Sequence, residues 1–322
     1  MTATGKKVLV TGAEGFIGSE LCRQLSDAGY SLVKLSRSRA QQNDSETSGN
    51  EFGTADFSGD ILDPEFLDRT LVGVQAVLHL AGIAHVDGPQ REYLQSVNVE
   101  GTANLASAAV AAGVEKVIYF SSSLAVAAEQ NKPEQTVYGR SKYQAEQSLF
   151  SIARNTQLKV TVLRPVNVYG PGMKGNLAAM IRMIDRGVLP PLPELDTQLS
   201  LVGLNDLCRA ALLALESGQA DGKTYLVTDA LTYRLNSIEA AIYQAMGKDK
   251  PDWHSPRGIF YLAAVAAGLL NRFGLLKTGL GIHSYRNLVA DNVFSNHQIC
   301  EELGFNPQQT FYTALADLVD VK

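Results

Sequence analysis

The stretch Lys7-Val-Leu-Val-Thr-Gly-Ala-Glu-Gly-Phe-Ile-Gly18 decides the fold of this chain. Its apolar first part predicts a short buried strand, and from Phe16 onward apolar side chains recur at helical spacing. Between the two, glycines at positions 12, 15 and 18 allow a tight turn and a close approach of the backbone to a ligand. Because the first N–H groups of a helix have no intrahelical partners, the helix start offers donors to an anion. The stretch therefore predicts a strand, a glycine-rich phosphate-binding turn and a helix.

The composition around this motif is that of a compact, enzyme-sized protein. At roughly 150 residues per domain, a chain of 322 residues is expected to form about two domains. Hydrophobic residues make up 45 % and charged residues 19 %, which argues against disorder and against a coiled coil. The net charge of -5 provides no broad positive field, so a polynucleotide is disfavoured as the main ligand.

Cysteine usage and the apolar runs indicate the compartment. The three cysteines are far apart and odd in number, which fits neither a disulfide framework nor a metal site. No signal segment precedes the first strand, and the longest apolar run, Ile259 to Leu270, has 12 residues, too few to span a membrane. We therefore predict a cytoplasmic protein with no bound metal and no integral membrane segment.

Short β-rich segments alternate with longer helical patterns from Lys7 to Pro165, which is typical of a parallel sheet covered by helices. After Pro165, breaks rich in proline and glycine interrupt this alternation. We predict an α/β fold with a Rossmann-type doubly wound parallel sheet in residues 1–165, a dinucleotide-binding domain. Residues 166–322 should form a smaller mixed α/β lobe that binds substrate, with segment 199–220 returning to the sheet.

The predicted elements follow from these patterns, and the polar stretch from Ser36 to Ser58 is read mainly as a loop. The predicted strands are Lys7 to Thr11, Ser31 to Leu35, Thr54 to Phe57, Ala76 to Ala81, Lys116 to Ser121 and Leu158 to Arg164. The predicted helices are Phe16 to Ala28, Arg91 to Ala112, Tyr138 to Arg154, Asn176 to Arg186, Asn205 to Glu216, Ser237 to Met246, Pro256 to Arg272 and Thr310 to Val319.

The end of the second predicted strand indicates which dinucleotide binds. A carboxylate about 20 residues past the glycines would bind the ribose 2′-hydroxyl of NAD, whereas an arginine accommodates the 2′-phosphate of NADP. This chain has Leu35-Ser-Arg-Ser-Arg39 there, without an acid. We predict that NADP(H) is preferred, with Ser36 and Arg37 at the phosphate, while NAD(H) remains possible and a merely solvated loop is the alternative.

A tyrosine and a lysine four residues apart form the predicted catalytic pair, in Tyr138-Gly-Arg-Ser-Lys142. This spacing puts both side chains on one helical face, about 5–6 Å apart at Cβ, where the cation can stabilise a phenolate. A free phenol titrates near pH 10, so the lysine makes the tyrosine useful as a proton carrier. Phe120-Ser-Ser-Ser123 ends a predicted strand, where open α/β sheets bind their ligands. A serine there can donate a hydrogen bond to the same substrate oxygen.

Six motifs in this order resemble an extended short-chain dehydrogenase/reductase of the nucleotide-sugar epimerase/dehydratase family. They are Thr11 to Gly18, Gly59-Asp-Ile61, His79-Leu-Ala-Gly82, Asn98-Val-Glu-Gly-Thr102, Phe120 to Ser123 and Tyr138 to Lys142. The resemblance implies that Ser123, Tyr138 and Lys142 are catalytic. The cofactor contacts expected from the motifs and the resemblance together are Gly12, Gly15, Phe16, Ile17, Gly18, Ser36, Arg37, Asp60, Ile61, Ala81, Gly82, Tyr138, Lys142 and Pro165.

UDP-sugar 4-epimerases hold the nucleotide diphosphate with segments similar to Arg164 to Gly172 and Gly175-Asn-Leu177 of this chain. Together with Leu201 to Leu207 and Leu303 to Pro307, these segments resemble most a bacterial subgroup of 4-epimerases and 4-ketohexulose reductases of polysaccharide biosynthesis. Gln198 stands where the family usually has an arginine, and it cannot supply charge-assisted hydrogen bonds. Lys174 or Arg286 could replace that arginine. Asn167 could instead cap a loop. The substrate contacts implied are Ser123, Asn167, Asn176, Leu177, Gln198 and Arg286.

The predicted function is that of an NADP(H)-dependent reductase acting at C4 of a UDP-linked 4-keto-hexose. The same residues would serve a UDP-hexose 4-epimerase that uses NAD, which is the alternative. A dehydratase is disfavoured because Leu124 follows Ser123 where an acidic pair would be needed. A reductase of small carbonyls or steroid-like substrates and a non-catalytic NADP-sensing module stay open. By resemblance, the helices Arg91 to Ala112 and Tyr138 to Arg154 imply a homodimer.

Overall fold

The computed structural model describes residues 5–37, 47–50, 54–84, 91–259, 261–262, 265–266 and 291–320. The chain forms two compact units. The first consists of Met1–Val166, Leu204–Val227 and Ser295–Asn306, and the second of Asn167–Gly203, Thr228–Phe294 and Pro307–Lys322. Compared with the predicted division, the returning segment starts at 204 instead of 199 and ends at 227 instead of 220, and a third segment that the sequence patterns did not indicate joins the first unit.

The strands of the described residues are numbered in chain order. They are β1 (Lys7–Thr11), β2 (Ser31–Ser36), β3 (Thr47–Asn50), β4 (Thr54–Ser58), β5 (Ala76–His79), β6 (Lys116–Phe120), β7 (Lys159–Pro165), β8 (Asn167–Tyr169), β9 (Gln198–Gly203), β10 (Thr224–Val227) and β11 (Thr232–Arg234).

The α-helices of the same residues are α1 (Phe16–Asp27), α2 (Pro64–Thr70), α3 (Arg91–Gln95), α4 (Gly101–Ala111), α5 (Ala125–Glu129), α6 (Val137–Arg154), α7 (Asn176–Asp185), α8 (Leu204–Glu216), α9 (Leu235–Ala245), α10 (His297–Leu303) and α11 (Phe311–Val319). A π-helical turn covers Ser96–Glu100 and a 3₁₀ turn covers Gly218–Ala220.

The sheet of the first unit has the strand order β10-β7-β6-β5-β1-β2-β4-β3. Its strands pair in parallel except β3, which runs antiparallel to β4 at the edge. β5 and β6 are buried along their whole length, as expected for parallel strands covered on both faces. This confirms the predicted doubly wound parallel sheet of the α/β class.

The carboxyl ends of β1, β5 and β6 lie at one edge of this sheet. Thr11 pairs with His79, and His79 with Tyr119, so the three strands end level with one another. The glycine-rich turn after Thr11 and the serine run after Tyr119 therefore emerge at the same edge, where ligands bind in open α/β sheets.

The second unit contains a three-stranded sheet of order β11-β9-β8, in which β8 is parallel and β11 antiparallel to β9. Leu201, Tyr233, Ile238 and Phe311 are fully buried and join this sheet to the helices of its core. The predicted mixed α/β character of the C-terminal lobe is confirmed.

Several predicted elements need correction. The predicted helix Arg91 to Ala112 is interrupted by the π-helical turn Ser96–Glu100, a device that often marks functional sites. The predicted loop from Ser36 to Ser58 contains β3 in addition to β4, while residues 38–46 and 51–53 lie outside the described residues. Most of the predicted helix Pro256 to Arg272 also lies outside them.

Within the described part of the chain, no helix is both long enough and apolar enough to cross a membrane. The cytoplasmic location and the homodimer stay predictions.

Candidate active site

The glycine-rich turn forms a cradle for an anion. Gly12 has φ +69°, a left-handed conformation that favours glycine, and its N–H donates to Leu35 O over 2.9 Å. A Cβ at Gly18 would lie 2.1 Å from Gly12 O, so α1 packs directly on the turn. Gly15 caps α1 without a side-chain hydrogen bond, and the first turn of α1 holds no acidic residue. These features fit the pyrophosphate of a dinucleotide, which the first N–H groups of α1 would hold.

The end of β2 lies beside the end of β4, as a site for the adenosine part of a dinucleotide requires. Ser36 pairs with Ser58 and is half-buried, and Arg37 follows it as an exposed residue. Asp60, predicted at the adenine, accepts a hydrogen bond from Leu62 N over 3.0 Å and so closes a turn.

Ile61, Ala81 and Gly82 complete the predicted cofactor contacts of this region. The Ile61 side chain is buried and packs against Gly101, so Ile61 could contact a ligand only through its backbone. Ala81 is half-buried and Gly82 is exposed at the end of β5. Pro165, the last residue of β7, is buried.

Tyr138 and Lys142 lie one turn apart at the start of α6. The Thr136 hydroxyl caps this helix by accepting from Gly139 N over 2.9 Å, which fixes the helix start at Val137. The Lys142 ammonium donates to Phe120 O over 2.9 Å and lies 5.9 Å from the centre of the Tyr138 ring. The structure therefore brings the phenol and the ammonium to one place beside the end of β6.

Burial sets the charge state of this pair. Burial raises the pKa of Tyr138 to about 12. Burial lowers the pKa of Lys142 to about 8, although the Glu146 carboxylate opposes the change. At neutral pH Tyr138 therefore carries its proton and Lys142 its positive charge. A protonated phenol beside a cation is suited to donate a proton to a developing oxyanion.

Ser123 lies three residues beyond the end of β6, in the turn that approaches the first turn of α6. Its N–H donates to Pro165 O over 2.9 Å, which ties it to the end of β7, and the residue is 4 % exposed. A Cβ at Gly139 would lie only 2.4 Å from Leu124 O. The glycine after Tyr138 thus permits the close approach of the turn that carries Ser123 to the helix that carries Tyr138.

A buried hydrogen-bond chain connects β1, β5 and α4. Thr11 Oγ1 accepts from the N–H groups of Leu80 and Ala81 over 3.1 and 3.0 Å. Its hydroxyl proton is therefore donated to His79 Nδ1, 2.7 Å away, so His79 carries its proton on Nε2 and donates to Thr102 Oγ1 over 2.9 Å. Burial lowers the pKa of His79 to about 3, which keeps this ring neutral.

The hydrogen-bond chain continues through the π-helical turn to α6. Thr102 donates to Asn98 O over 2.7 Å, and the Asn98 amide donates to Ser141 Oγ over 2.9 Å. Ser141 in turn donates to Tyr138 O over 2.8 Å. The sequence indicated His79 and Asn98 only as parts of motifs, and the spacing of their partners along the chain gave no signal for this connection.

The predicted substrate residues of the second unit occupy different settings. Asn167 and Asn176 are exposed at the starts of β8 and α7, whereas the Leu177 side chain is buried in the core of the unit. For Leu177 this leaves the backbone N–H at the start of α7 as the group that can bind a ligand. Lys174 is exposed, and Arg286 lies outside the described residues.

Gln198 has an arginine as its cross-strand neighbour. It begins β9, is half-buried and pairs with Arg234 in the antiparallel register of β11. Directly paired residues of antiparallel strands project from the same face, so the side chain of the exposed Arg234 leaves the sheet on the same face as that of Gln198. The sequence reasoning missed Arg234 because β11 has only three residues, too few for a periodic pattern.

Comparison with known proteins identifies the family of this chain. The model of the NAD dependent epimerase/dehydratase family matches residues 8–228. A UDP-glucose 4-epimerase of Vibrio cholerae is 30 % identical over 78 % of this chain and 78 % of its own length. A 2-alkyl-3-oxoalkanoate reductase of Stenotrophomonas maltophilia is 25 % identical over 76 % of this chain and 77 % of its own length.

The fold is shared with solved structures of such proteins. The crystal structure of a UDP-glucose 4-epimerase of Thermotoga maritima, with UDP-glucose, matches with a TM-score of 0.74 at 24 % identity, over 98 % of this chain and 97 % of that chain. Because the family model covers more than half of its length, the chain belongs to the NAD dependent epimerase/dehydratase family and is an enzyme of that family.

Proposed function

We propose that this enzyme is an NADP(H)-dependent reductase acting at C4 of a UDP-linked 4-keto-hexose. The observation that carries the proposal is the end of β2, where the last two described residues are Ser36 and the exposed Arg37 and neither is a carboxylate. Such an end accommodates a 2′-phosphate and lacks the acid that binds the NAD ribose. A reductase consumes a reduced cofactor, whereas an epimerase regenerates its own, so NADP(H) suits reduction.

In this reaction the nicotinamide supplies a hydride to C4 when the cofactor is bound. Tyr138, which holds its proton at neutral pH, would donate that proton to the resulting oxyanion. Ser123 would orient the substrate oxygen by a hydrogen bond, and the Lys142 ammonium would stabilise the phenolate that remains. The glycine-rich turn and the start of α1 would hold the pyrophosphate.

Support for a UDP-sugar substrate comes from the relatives and from the second unit. The Vibrio cholerae relative is named for UDP-glucose. We propose Asn167, Asn176 and the N–H of Leu177 as nucleotide contacts, and Arg234 as the cation that compensates for Gln198 at the diphosphate.

The second candidate is a UDP-hexose 4-epimerase, which the identity to the Vibrio cholerae relative favours. In that reaction Tyr138 would first have to accept the proton of the C4 hydroxyl. Burial raises the pKa of Tyr138 to about 12, so this step would require the phenol to lose its proton first.

One assay separates the two candidates. With NADPH and a UDP-4-keto-6-deoxyhexose, we expect loss of NADPH absorbance and formation of a UDP-6-deoxyhexose, and no interconversion of UDP-glucose and UDP-galactose without added cofactor. Interconversion of the two UDP-hexoses without added cofactor, together with constant NADPH in the reaction with the keto sugar, would overturn the reductase in favour of the epimerase.

A second test concerns the choice of dinucleotide. Replacement Arg37→Ala is expected to weaken NADPH binding about 10-fold or more and to leave NADH binding nearly unchanged, because a charge-assisted contact to the 2′-phosphate contributes roughly 1.5–3 kcal/mol. Dissociation constants from quenching of protein fluorescence would show this. An equal change in affinity for both cofactors would contradict the placement of Arg37 at the 2′-phosphate. Arg69 is an exposed arginine on α2, and Arg69→Ala serves as the matched control.

A further inference from the structure

Three buried polar side chains and one partly exposed carboxylate form a cluster beside the candidate catalytic residues. Glu146 lies one turn beyond Lys142 on α6 and accepts from Arg164 Nε over 2.9 Å and from Arg164 Nη2 over 2.5 Å. The Ser121 hydroxyl also donates to Glu146. Arg164 Nη1 donates to Glu129 over 2.6 Å. The side chains of Glu146 and Arg164 are 2 % and 5 % exposed, whereas that of Glu129 is 45 % exposed.

The cluster joins the elements that carry the candidate catalytic residues. Ser121 lies two residues before Ser123, and Arg164 precedes Pro165, whose carbonyl accepts from Ser123 N. Glu129 ends α5, the helix that begins after Ser123, and Glu146 belongs to α6 with Tyr138 and Lys142. The hydrogen bonds of the cluster therefore hold α6, α5 and the ends of β6 and β7 together. Removal of one partner from a buried ion pair of this kind strongly lowers stability, because the other charge is then buried without compensation.

The charges of the cluster bear directly on Lys142. Two described groups near its ammonium carry no charge at neutral pH. The Tyr119 ring lies 4.7 Å from Lys142 Nζ and burial raises its pKa, while burial keeps His79 neutral. Tyr138 is protonated as well. Glu146 is then the carboxylate whose charge raises the pKa of Lys142 against the effect of burial.

Arg164 competes with Lys142 for that negative charge. If Arg164 were paired with Glu146 alone, the two charges would largely cancel at the distance of Lys142. The second carboxylate, Glu129, offsets the charge of Arg164. Lys142 and Arg164 thus share the charge of Glu146, and the Glu129 carboxylate compensates part of the Arg164 charge.

We propose that Glu146 and Glu129 are positioning residues for Lys142: Glu146 supplies the buried negative charge that keeps Lys142 an ammonium at neutral pH, and Glu129 makes that charge available by neutralising Arg164. Ser121 and Arg164 fix the Glu146 carboxylate one helical turn from Lys142. This inference rests on the roles proposed for Tyr138 and Lys142.

Replacement of Glu129 by Gln tests the proposal in a protein that is expected to fold, since this carboxylate is partly exposed. We expect the titration midpoint of Lys142 to move to lower pH in Glu129→Gln, and further in Glu146→Gln, because each variant leaves Lys142 facing more positive charge. The midpoint would be measured by NMR on the cofactor-free protein labelled with ¹³C at the lysine ε-carbons, with the Lys142 signal assigned by its absence in Lys142→Arg. In the active enzyme the alkaline limb of kcat/KM should move in the same direction.

Controls separate this role from a structural one. The double variant Glu146→Gln/Arg164→Met removes both buried charges, so it should regain the thermal stability lost in Glu146→Gln. Its Lys142 midpoint should recover only in part, because the opposing guanidinium is gone but the neighbouring carboxylate is still absent. Glu115→Gln, at an exposed position before the other end of β6, should leave the midpoint unchanged. An unchanged midpoint in Glu129→Gln and in every folded variant of Glu146 overturns the proposal. A shifted midpoint with no turnover of UDP-sugars would retain it and would contradict the proposed function instead.

Discussion

The Tyr138→Phe variant is expected to lose about 10²- to 10⁴-fold in kcat, the range associated with the loss of a positioned general acid. Phenylalanine keeps the ring in its half-buried place at the start of α6 and removes the hydroxyl that would donate the proton. The charge of Lys142 and its bond to Phe120 O are untouched, so the dinucleotide should bind with nearly unchanged affinity. Steady-state rates with NADPH and a UDP-4-keto-6-deoxyhexose, together with cofactor titrations, measure both quantities.

A second tyrosine on the same helix supplies the matched control. Tyr143 lies five residues further along α6 and is half-buried, so Tyr143→Phe removes a hydroxyl from a comparable setting. It should retain wild-type kcat. Full activity in Tyr138→Phe would exclude a proton-donating role for this residue, and equal losses in the two variants would point to a general effect on α6.

Local sequence signals identify the elements next to the predicted cofactor site. The strand Lys7–Thr11 and the start of α1 at Phe16 occur where they were predicted, because apolar periodicity and glycine spacing act over a few neighbouring residues. Tyr138 and Lys142 likewise fall on one face of α6, since a spacing of four fixes this in any regular helix.

The contacts that tune the site could not be predicted in this way. Glu146 and Arg164 are 18 residues apart, and Arg164 and Glu129 are 35 apart, so no local pattern connects them. The tautomer of His79 depends on Thr11, 68 residues away, and on Thr102, 23 residues away. Such pairings arise only when the sheet order brings distant strands together. Arg234 was missed for a different reason, because its strand of three residues is too short to show a periodic pattern.

The Gly18→Ala variant is expected to bind NADPH and NADH about 10- to 100-fold more weakly, in contrast to Tyr138→Phe. The new Cβ would lie 2.1 Å from Gly12 O and 2.9 Å from Ala13 Cα, and both neighbours are backbone atoms that cannot rotate away. The start of α1 must therefore shift relative to the turn, and overpacking of this kind costs roughly 1–3 kcal/mol.

Because the pyrophosphate would be held by the turn and by the first N–H groups of α1 together, any shift between the two should weaken cofactor binding. Gly218→Ala is the control, since a Cβ there meets nothing within 4 Å and the residue lies in the same unit. It should bind both cofactors as the wild type does. Wild-type affinity in a folded Gly18→Ala protein would exclude the turn as the dinucleotide cradle. Weak binding there, together with normal binding in Tyr138→Phe, would instead assign cofactor binding and proton donation to separate parts of the same sheet edge.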